Sequence, residues 1–242
     1  MAVVHMILQG KGGVGKSMVS VLLYQSLLRL GHKVHGIDTD PVNATLAGFK
    51  ELAVTRLEIM RDDNIDVRMF DALIEKICEM PEDSHVIIDN GASAFVAFGG
   101  YLRENEAISL LHDNGHKVYL HTVVTGGQAI VDTTQGLKVL ATSFPSAPLV
   151  VWLNSYFGDI LMDGKGFTSF KIYEEHEKQI HSIITIPTGN SNTLGQDLQE
   201  LYAKRQTFQA AIDSSQSIAV RSRLHRYFSQ VVTAVQVAQL TA

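Results

Sequence analysis

Residues 8–17 read LQGKGGVGKS, with four glycines and two lysines in ten positions. Gly10 to Ser17 fits the pattern G-x-x-x-x-G-K-[ST], with a short apolar run before it and a helical pattern after it. Glycines let successive backbone N–H groups converge on phosphate oxygens, and the following helix adds its positive end. The sequence therefore predicts a phosphate-binding loop whose backbone is supplied by Gly10, Gly12, Gly13, Val14 and Gly15.

Two side chains at the end of this loop add charge and metal chemistry. Lys16 brings a full positive charge to the β/γ-phosphate position, and the Ser17 hydroxyl is a ligand for Mg²⁺. The alternative is a glycine-rich turn that binds nothing, and the flanking strand and helix argue against it. Lys11 stands inside the glycine run, and the loop pattern alone gives it no role.

The rest of the chain alternates short apolar runs with longer helical patterns, which predicts an α/β fold. We expect a single doubly wound, mainly parallel sheet with helices on both faces. The predicted strands are 3–8, 33–37, 56–60, 85–89, 117–124, 148–153 and 182–186, and the predicted helices include 16–30, 68–80, 128–143 and 166–179. No linker or repeat divides residues 1–242, so they form one domain, with 193–242 as its C-terminal helices.

Carboxylates follow two of the predicted strands, at the edge where an open parallel sheet binds its ligands. Asp38 and Asp40 come after the second strand, and Asp89 ends the fourth. Asp89 is expected to reach Mg²⁺ through water. Asp38 and Asp40 are candidate catalytic residues, one orienting an attacking water and the other holding the metal, with Asp40 counted among the metal ligands. The alternative is structural, because Asp-Pro and Asp-Asn-Gly are turn sequences.

Other polar residues carry weaker signals. Asn154, after the sixth strand, either hydrogen-bonds a base or caps the next turn. No N-K-x-D guanine-reading sequence occurs in the chain, which favours ATP over GTP. His112 and His116, with His121 nearby, are interpreted as solvated surface residues rather than metal ligands. Cys78, in a helix beside Ile74 and Ile77, is interpreted as a core residue.

Composition excludes several functional classes. The net charge is −5, which argues against bulk electrostatic capture of nucleic acid. A single cysteine excludes a disulfide framework. No apolar run is long enough to span a membrane, and the start resembles a first strand rather than a signal peptide, so we expect a cytoplasmic protein. Arg221, Arg223 and Arg226 form a basic patch for DNA, part of an amphipathic membrane helix, or the solvated end of a packed helix. The apolar face that follows them favours packing.

The motifs KGGVGKS, DTDP and VIID together resemble the deviant Walker-A ATPases of the ParA/MinD family. The resemblance implies an ATPase that dimerises face to face around two ATP–Mg²⁺, with Lys11 reaching the phosphates of the other subunit. It also places Asp40 at a hydrolysis-linked position and Asp89 at the Walker-B position. Asn154 and the segment after Pro187 match where family members hold adenine.

Several longer stretches, such as IDTDPVNAT and HTVVTGGQA, resemble a subgroup that acts in plasmid conjugal transfer, which implies protein partners in the conjugation apparatus. One departure stands out, because many relatives carry a short Pro-containing sequence where this chain has Asn90-Gly91-Ala92-Ser93. Two alternative functions stay open. One is a partition-type ATPase that binds DNA non-specifically, and the other is a small-molecule ligase or kinase on the same fold.

Overall fold

The computed structural model describes residues 1–240, which form one large sheet, two small hairpins and the helices around them. The strands are β1 Val3–Ile7, β2 Lys33–Asp38, β3 Val54–Arg56, β4 Met60–Arg61, β5 Asn64–Ile65, β6 Ser84–Asp89, β7 Lys117–Thr125, β8 Leu149–Asn154, β9 Leu161–Met162, β10 Lys165–Gly166 and β11 Ile180–Thr185. The α-helices are α1 Lys16–Arg29, α2 Met69–Cys78, α3 Phe95–Glu104, α4 Ala107–Asp113, α5 Ile130–Ser143, α6 Lys171–His176, α7 Gln196–Lys204, α8 Phe208–Ser214 and α9 Ile218–Val237.

The large sheet has seven strands in the order β11-β8-β7-β1-β6-β2-β3, and every pairing in it is parallel. The chain adds strands on both sides of β1, so the strand order reverses there. In such a sheet the carboxyl ends of the strands form one edge, and the crevice at the reversal point is where ligands bind. The predicted doubly wound α/β fold is confirmed.

Helices cover both faces of this sheet and give the domain two hydrophobic cores. One core packs α2, α3, α4 and α5 against the sheet through side chains such as Phe70, Phe98 and Leu137. The other packs α1, α7, α8 and α9 through side chains such as Leu22, Phe208 and Val231. Because both faces are covered, the central strands are apolar along almost their whole length, which explains their near-continuous hydrophobic runs.

Helices α7, α8 and α9 make up most of residues 193–240, and α9 packs on the sheet's second face. Residues 241 and 242 of the predicted C-terminal helices lie outside the described residues. Val231 and Val235 of α9 are almost fully buried, in agreement with the packing interpretation. Arg223 donates two hydrogen bonds to the Asp197 carboxylate of α7, at 2.6 and 3.0 Å. Of the three arginines, Arg221 and Arg226 are therefore the ones left exposed. None of the helices within residues 1–240 is long and apolar enough to cross a membrane.

Three local predictions are wrong. The run 56–60 is not a strand of the sheet, because β3 ends at Arg56 and a hairpin of β4 and β5 follows, turning at Asp62 and Asp63. Residues 166–179 are not one helix, since α6 covers only Lys171–His176 and Phe170 before it is extended. Cys78 is exposed rather than buried, because the face of α2 that packs on the core ends with Ile77.

The interpretation of the histidines as surface residues is also wrong for two of the three. His116 is 8% exposed and His121 is fully buried, whereas His112 is exposed. The reason is that His121 lies on β7, inside the sheet, and faces the α1 and α9 side along with His5 and His85. The histidines that meet, His5, His85 and His121, come from three different strands, which sequence spacing does not reveal.

His5, His85 and His121 form, together with Trp152, a hydrogen-bonded row across four strands. Trp152 Nε1 donates to His121 Nδ1, His121 Nε2 lies 2.9 Å from His5 Nδ1, and His5 Nε2 lies 2.9 Å from His85 Nδ1. Because the indole only donates, it sets the direction of every hydrogen bond in the row. A protonated ring would have no acceptor inside the row, and burial lowers the pKa of His5, of His85 to about 4 and of His121 to about 3.

The row predicts that stability falls with acid below neutrality. His85 stays neutral in the folded chain, whereas an unfolded histidine takes up a proton near pH 6.5. Its contribution is therefore complete above about pH 6.5 and is lost as the pH falls toward 4. In His85→Gln, we expect the slope of unfolding free energy against pH between about 6 and 5 to be smaller than in wild type by at most about 1.4 kcal/mol per pH unit.

Urea unfolding at several pH values measures these slopes. His112→Gln removes an exposed histidine outside the row and is the control, with a slope expected to match wild type. Equal slopes in His85→Gln and wild type would contradict the account of the row.

Candidate functional site

The glycine-rich loop connects the end of β1 to the start of α1 at the carboxyl edge of the sheet. Gly13 and Gly15 have φ angles of 75° and 103°, in the left-handed region that favours glycine. Gly15 directly precedes α1, which begins at Lys16, so the N-terminal N–H groups of the helix point into the loop. The loop thus has the backbone conformation that an anion-binding loop needs.

Lys16 lies inside the site. Its side chain is 7% exposed, and its Nζ donates to the Lys11 carbonyl oxygen at 3.1 Å. Burial lowers the pKa of the Lys16 ammonium, while the nearby carboxylates of Asp89 and Asp40 oppose that shift. The cation therefore sits between the loop and the acidic strand ends.

Asp89 is fully buried at the end of β6 and keeps one oxygen free. Its Oδ1 accepts from the Ser20 hydroxyl at 2.8 Å, whereas Oδ2 has no hydrogen-bond partner within residues 1–240. Burial, and secondarily the charge of Asp38, raises the pKa of Asp89 to about 7. An unpaired buried carboxylate oxygen with the hydroxyl of Ser17 next to it is a donor set that fits Mg²⁺ or its bound water.

Asp38 and Asp40 lie close together but have different surroundings. Asp38 is fully buried, and its two oxygens accept from the N–H groups of Asp40 and Ala47 at 3.0 and 2.9 Å. Burial raises the pKa of Asp38. Asp40 is partly exposed, and its Oδ1 accepts from the N–H groups of Val42 and Asn43. Asp38 thus holds the loop after β2 in shape, while Asp40 faces the site.

A cleft of about 490 Å³ lies between the glycine-rich loop and the loops after β2 and β6. Of the predicted site residues, this cleft is lined by Gly12, Gly13, Gly15, Lys16, Ser17 and Asp40. It is lined by Gly12, Gly13, Gly15, Lys16, Ser17, Met18, Asp40, Val42, Asn43, Thr45, Ala92 and Ser93.

Lys11 lies at the rim of the site rather than in it. Its side chain is 46% exposed, and Nζ forms an ion pair with Asp132 Oδ2 at 2.8 Å. Asp132 stands in the first turn of α5, and sequence reasoning missed it. The available signal was an acidic residue at the start of a helix whose N-terminus lies at the same sheet edge as the loop.

Gln9 is a second residue that sequence reasoning missed. It is 1% exposed, and its Nε2 donates to the carbonyl oxygens of Val123 and Thr133 at 3.1 Å each. Its Oε1 accepts from the Lys11 N–H at 3.3 Å. Gln9 therefore fixes the first residues of the loop to β7 and α5. The sequence signal was an amide residue directly before the glycine run.

The two residues predicted for the base occupy different positions. Asn154 is 5% exposed, its Nδ2 donates to the Val14 carbonyl at 2.9 Å and its Oδ1 accepts from the Tyr156 N–H at 3.1 Å. It contacts the phosphate loop directly and caps the turn that follows. Pro187 comes after β11, at one end of the sheet, and lies outside the residues that line the cleft.

Comparison with known proteins agrees with this geometry. Residues 5–237 match the family model described as the CobQ/CobB/MinD/ParA nucleotide binding domain. The chain belongs to this family. The glycine-rich loop, the buried acidic end of β6 and the doubly wound sheet therefore belong to a nucleotide-binding domain.

The chain is also similar to individual proteins of known name and to solved structures. Two Escherichia coli proteins named Protein TraL are 50% and 47% identical to this chain over 226 residues, which is 93% of this chain and of each relative. Among solved structures, the septum site-determining protein MinD from Pyrococcus horikoshii OT3, complexed with Mg-ADP, aligns with a TM-score of 0.55 at 16% identity. That alignment covers 100% of this chain and 99% of the MinD chain. At this identity the MinD structure shows a shared fold.

The contacts of Asn154 predict that it acts on the loop rather than on the base. Asn154→Ala leaves the buried Val14 carbonyl without its donor, so we expect a loss of about 1–3 kcal/mol in unfolding free energy. Any preference between ATP and GTP should stay unchanged, because both polar atoms of the side chain are already used within the protein. Urea unfolding and competition binding measure the two quantities.

Asn114→Ala provides a matched control, because that asparagine is exposed at the end of α4 and lies outside the residues that line the cleft. It should change stability by less than about 0.5 kcal/mol. A shift in base preference with unchanged stability in Asn154→Ala would contradict the structural role.

Proposed function

We propose that this protein is an ATP-binding, slowly hydrolysing switch whose ATP-bound form is a dimer. The observation that carries the proposal is the placement of two lysines around one phosphate loop. Lys16 is buried against the loop, whereas Lys11 lies on its rim, half-exposed and paired with the exposed carboxylate of Asp132. A cation in that position is free to turn outward toward the phosphates of a second copy.

The residues of the cleft divide the work of binding and hydrolysis. The loop N–H groups and Lys16 bind the phosphates, and Ser17 with Asp89 would hold Mg²⁺, which when bound neutralises phosphate charge. Asp40, on the opposite wall, accepts a hydrogen bond from the attacking water and orients it. The water oxygen then bonds to the γ-phosphorus as the bond to the β–γ bridging oxygen breaks, and the proton that the water loses passes to an oxygen of the transferred phosphoryl group, giving ADP and phosphate.

The dimer gives this chemistry a regulatory use. Nucleotide shifts a monomer–dimer equilibrium only by its different affinity for the two states. A lysine that reaches a partner's phosphates supplies such a difference, because that contact exists only in the dimer. Hydrolysis removes the γ-phosphate that the lysine binds and so returns the protein to its resting state.

We further propose a cytoplasmic role in plasmid conjugal transfer, with the ATP-bound dimer recruiting protein partners to assemble or position the transfer apparatus. The resemblance of IDTDPVNAT and HTVVTGGQA to the conjugal-transfer subgroup, together with the similarity to the TraL proteins, supports this assignment over partition. The engagement of Arg223 with Asp197 leaves a smaller basic surface for DNA than the sequence suggested.

Lys11→Ala tests the switch directly. We expect affinity for ATP to stay within about threefold of wild type, because Lys16 and the loop are intact. The ATP-dependent dimer should be lost and turnover should fall at least about tenfold, since the electrostatic contact across subunits is absent. Equilibrium binding, mass measurement with ATP and Mg²⁺, and phosphate release give the three values.

Lys138→Ala is the control, because it removes an exposed lysine further along α5. It should match wild type in all three measurements. A Lys11→Ala protein that dimerises and hydrolyses ATP like wild type would remove the trans-lysine role.

Asp132→Asn should have the opposite effect on dimerisation. The mutation releases Lys11 from an exposed ion pair worth about 0.2–1 kcal/mol. Because each dimer breaks two such pairs, the dimer should form at up to about 30-fold lower protein concentration with ATP. Asp113→Asn changes an exposed aspartate on α4 by the same charge and should leave the dimerisation constant unchanged. Identical shifts in the two variants would mean that net charge, not the release of Lys11, is responsible.

A further inference from the structure

The loop after β6 and the loop after β2 are joined by a buried side-chain contact. The Thr39 N–H donates to the Asp89 carbonyl oxygen at 2.9 Å, and the Thr39 hydroxyl lies 3.1 Å from Asn90 Oδ1. Thr39 and Asn90 are each 1% exposed. The same hydroxyl also lies 3.2 Å from the Asp89 carbonyl oxygen, so both acceptors within its reach belong to the end of β6 and the loop after it.

Asn90 has a fixed orientation in this contact. Its Nδ2 donates to the Gly91 carbonyl oxygen at 3.2 Å, which leaves Oδ1 to accept from the Thr39 hydroxyl. Both ends of the amide are therefore used. Thr39, which directly precedes Asp40, is thus hydrogen-bonded to Asn90, which directly follows Asp89.

Gly91 makes the second contact between the two loops. A Cβ atom at this position would lie 2.8 Å from Asp40 Cγ, 2.8 Å from Oδ1 and 3.1 Å from Oδ2. Its backbone angles, φ −63° and ψ 150°, suit any residue, so glycine is needed here for space rather than for conformation. The carboxylate of Asp40 lies against the Gly91 backbone on one side and accepts from its own loop on the other.

We propose that Asn90 and Gly91 are positioning residues for Asp40. Gly91 leaves the space that the carboxylate occupies at the wall of the cleft, and Asn90 anchors Thr39 so that the loop cannot shift away. A movement of either loop must therefore carry the other. This inference rests on the proposed function for the consequence in turnover, but the placement of Asp40 has its own test.

Gly91→Ala is the decisive variant, and Gly99→Ala is its control. In Gly91→Ala the new methyl group displaces the Asp40 carboxylate, so kcat should fall about 10- to 100-fold while KM for ATP changes less than about threefold. Gly99 lies on α3, where a Cβ would meet nothing within 4 Å, so the same substitution there should leave both values unchanged. A double mutant with Asp40→Asn separates positioning from general damage, since Gly91→Ala should cost no further turnover in that background.

The Thr39 contact is tested by a conservative pair. Thr39→Ser keeps the hydroxyl that Asn90 accepts from, so kcat should stay within about threefold of wild type. Thr39→Val has nearly the same shape without the donor, and kcat should fall at least about tenfold. Equal values of kcat in the two variants would overturn the role of the Thr39 hydroxyl in holding the two loops together.

A measurement without turnover separates this proposal from the proposed function. In protein labelled with ¹³C at aspartate side chains, the Asp40 carboxyl signal is identified by its loss in Asp40→Asn. It should shift in Gly91→Ala and stay in place in Gly99→Ala. An unmoved signal in Gly91→Ala overturns the positioning role, whatever the turnover. A wild-type protein without ATP turnover but with the expected shift would overturn the proposed function alone.

Discussion

The parallel register of β1, β6 and β2 is the constraint on which the whole site depends. It pairs Ile7 with Asp89, and Asp89 with Asp38, so that three strands end together at one edge. The glycine-rich loop leaves β1 at this edge and the two acidic loops leave the neighbouring strands. A shift of one strand by a residue would turn its carboxylate to the other face of the sheet and separate it from Lys16.

Burying several charged groups at this edge costs desolvation free energy, and each group is compensated differently. Asp38 is buried but accepts two backbone hydrogen bonds, whereas Asp89 keeps an unpaired oxygen. An unpaired buried carboxylate oxygen is unfavourable unless a proton or a cation compensates it, which is why the raised pKa of Asp89 and its suitability for Mg²⁺ have the same origin. Lys16 compensates part of this charge from the loop side.

The sequence was sufficient for the fold and for the phosphate loop, because both depend on local patterns. The phosphate-loop pattern identifies Gly15 and Lys16 from their sequence neighbours alone. Continuous apolar runs indicate parallel strands that are buried on both faces. The contacts between distant segments were not predictable in this way. The pairing of Lys11 with Asp132, the seat of Asp40 against Gly91 and the burial of His121 each require knowing which strands and loops meet. The run 56–60 has the apolar pattern of a sheet strand. Its sequence does not show that Met60, at its end, pairs with Ile65 across the turn at Asp62 and Asp63.

The central claim is that Lys11 exchanges an intramolecular carboxylate for a phosphate on another subunit. A crystal structure with a non-hydrolysable ATP analogue and Mg²⁺ tests it most directly. The account predicts a two-fold dimer in which Lys11 Nζ has left Asp132 and lies within hydrogen-bond distance of phosphate oxygens bound by the other copy. A nucleotide-bound structure in which Lys11 still pairs with Asp132, or contacts only the phosphates of its own subunit, would contradict it.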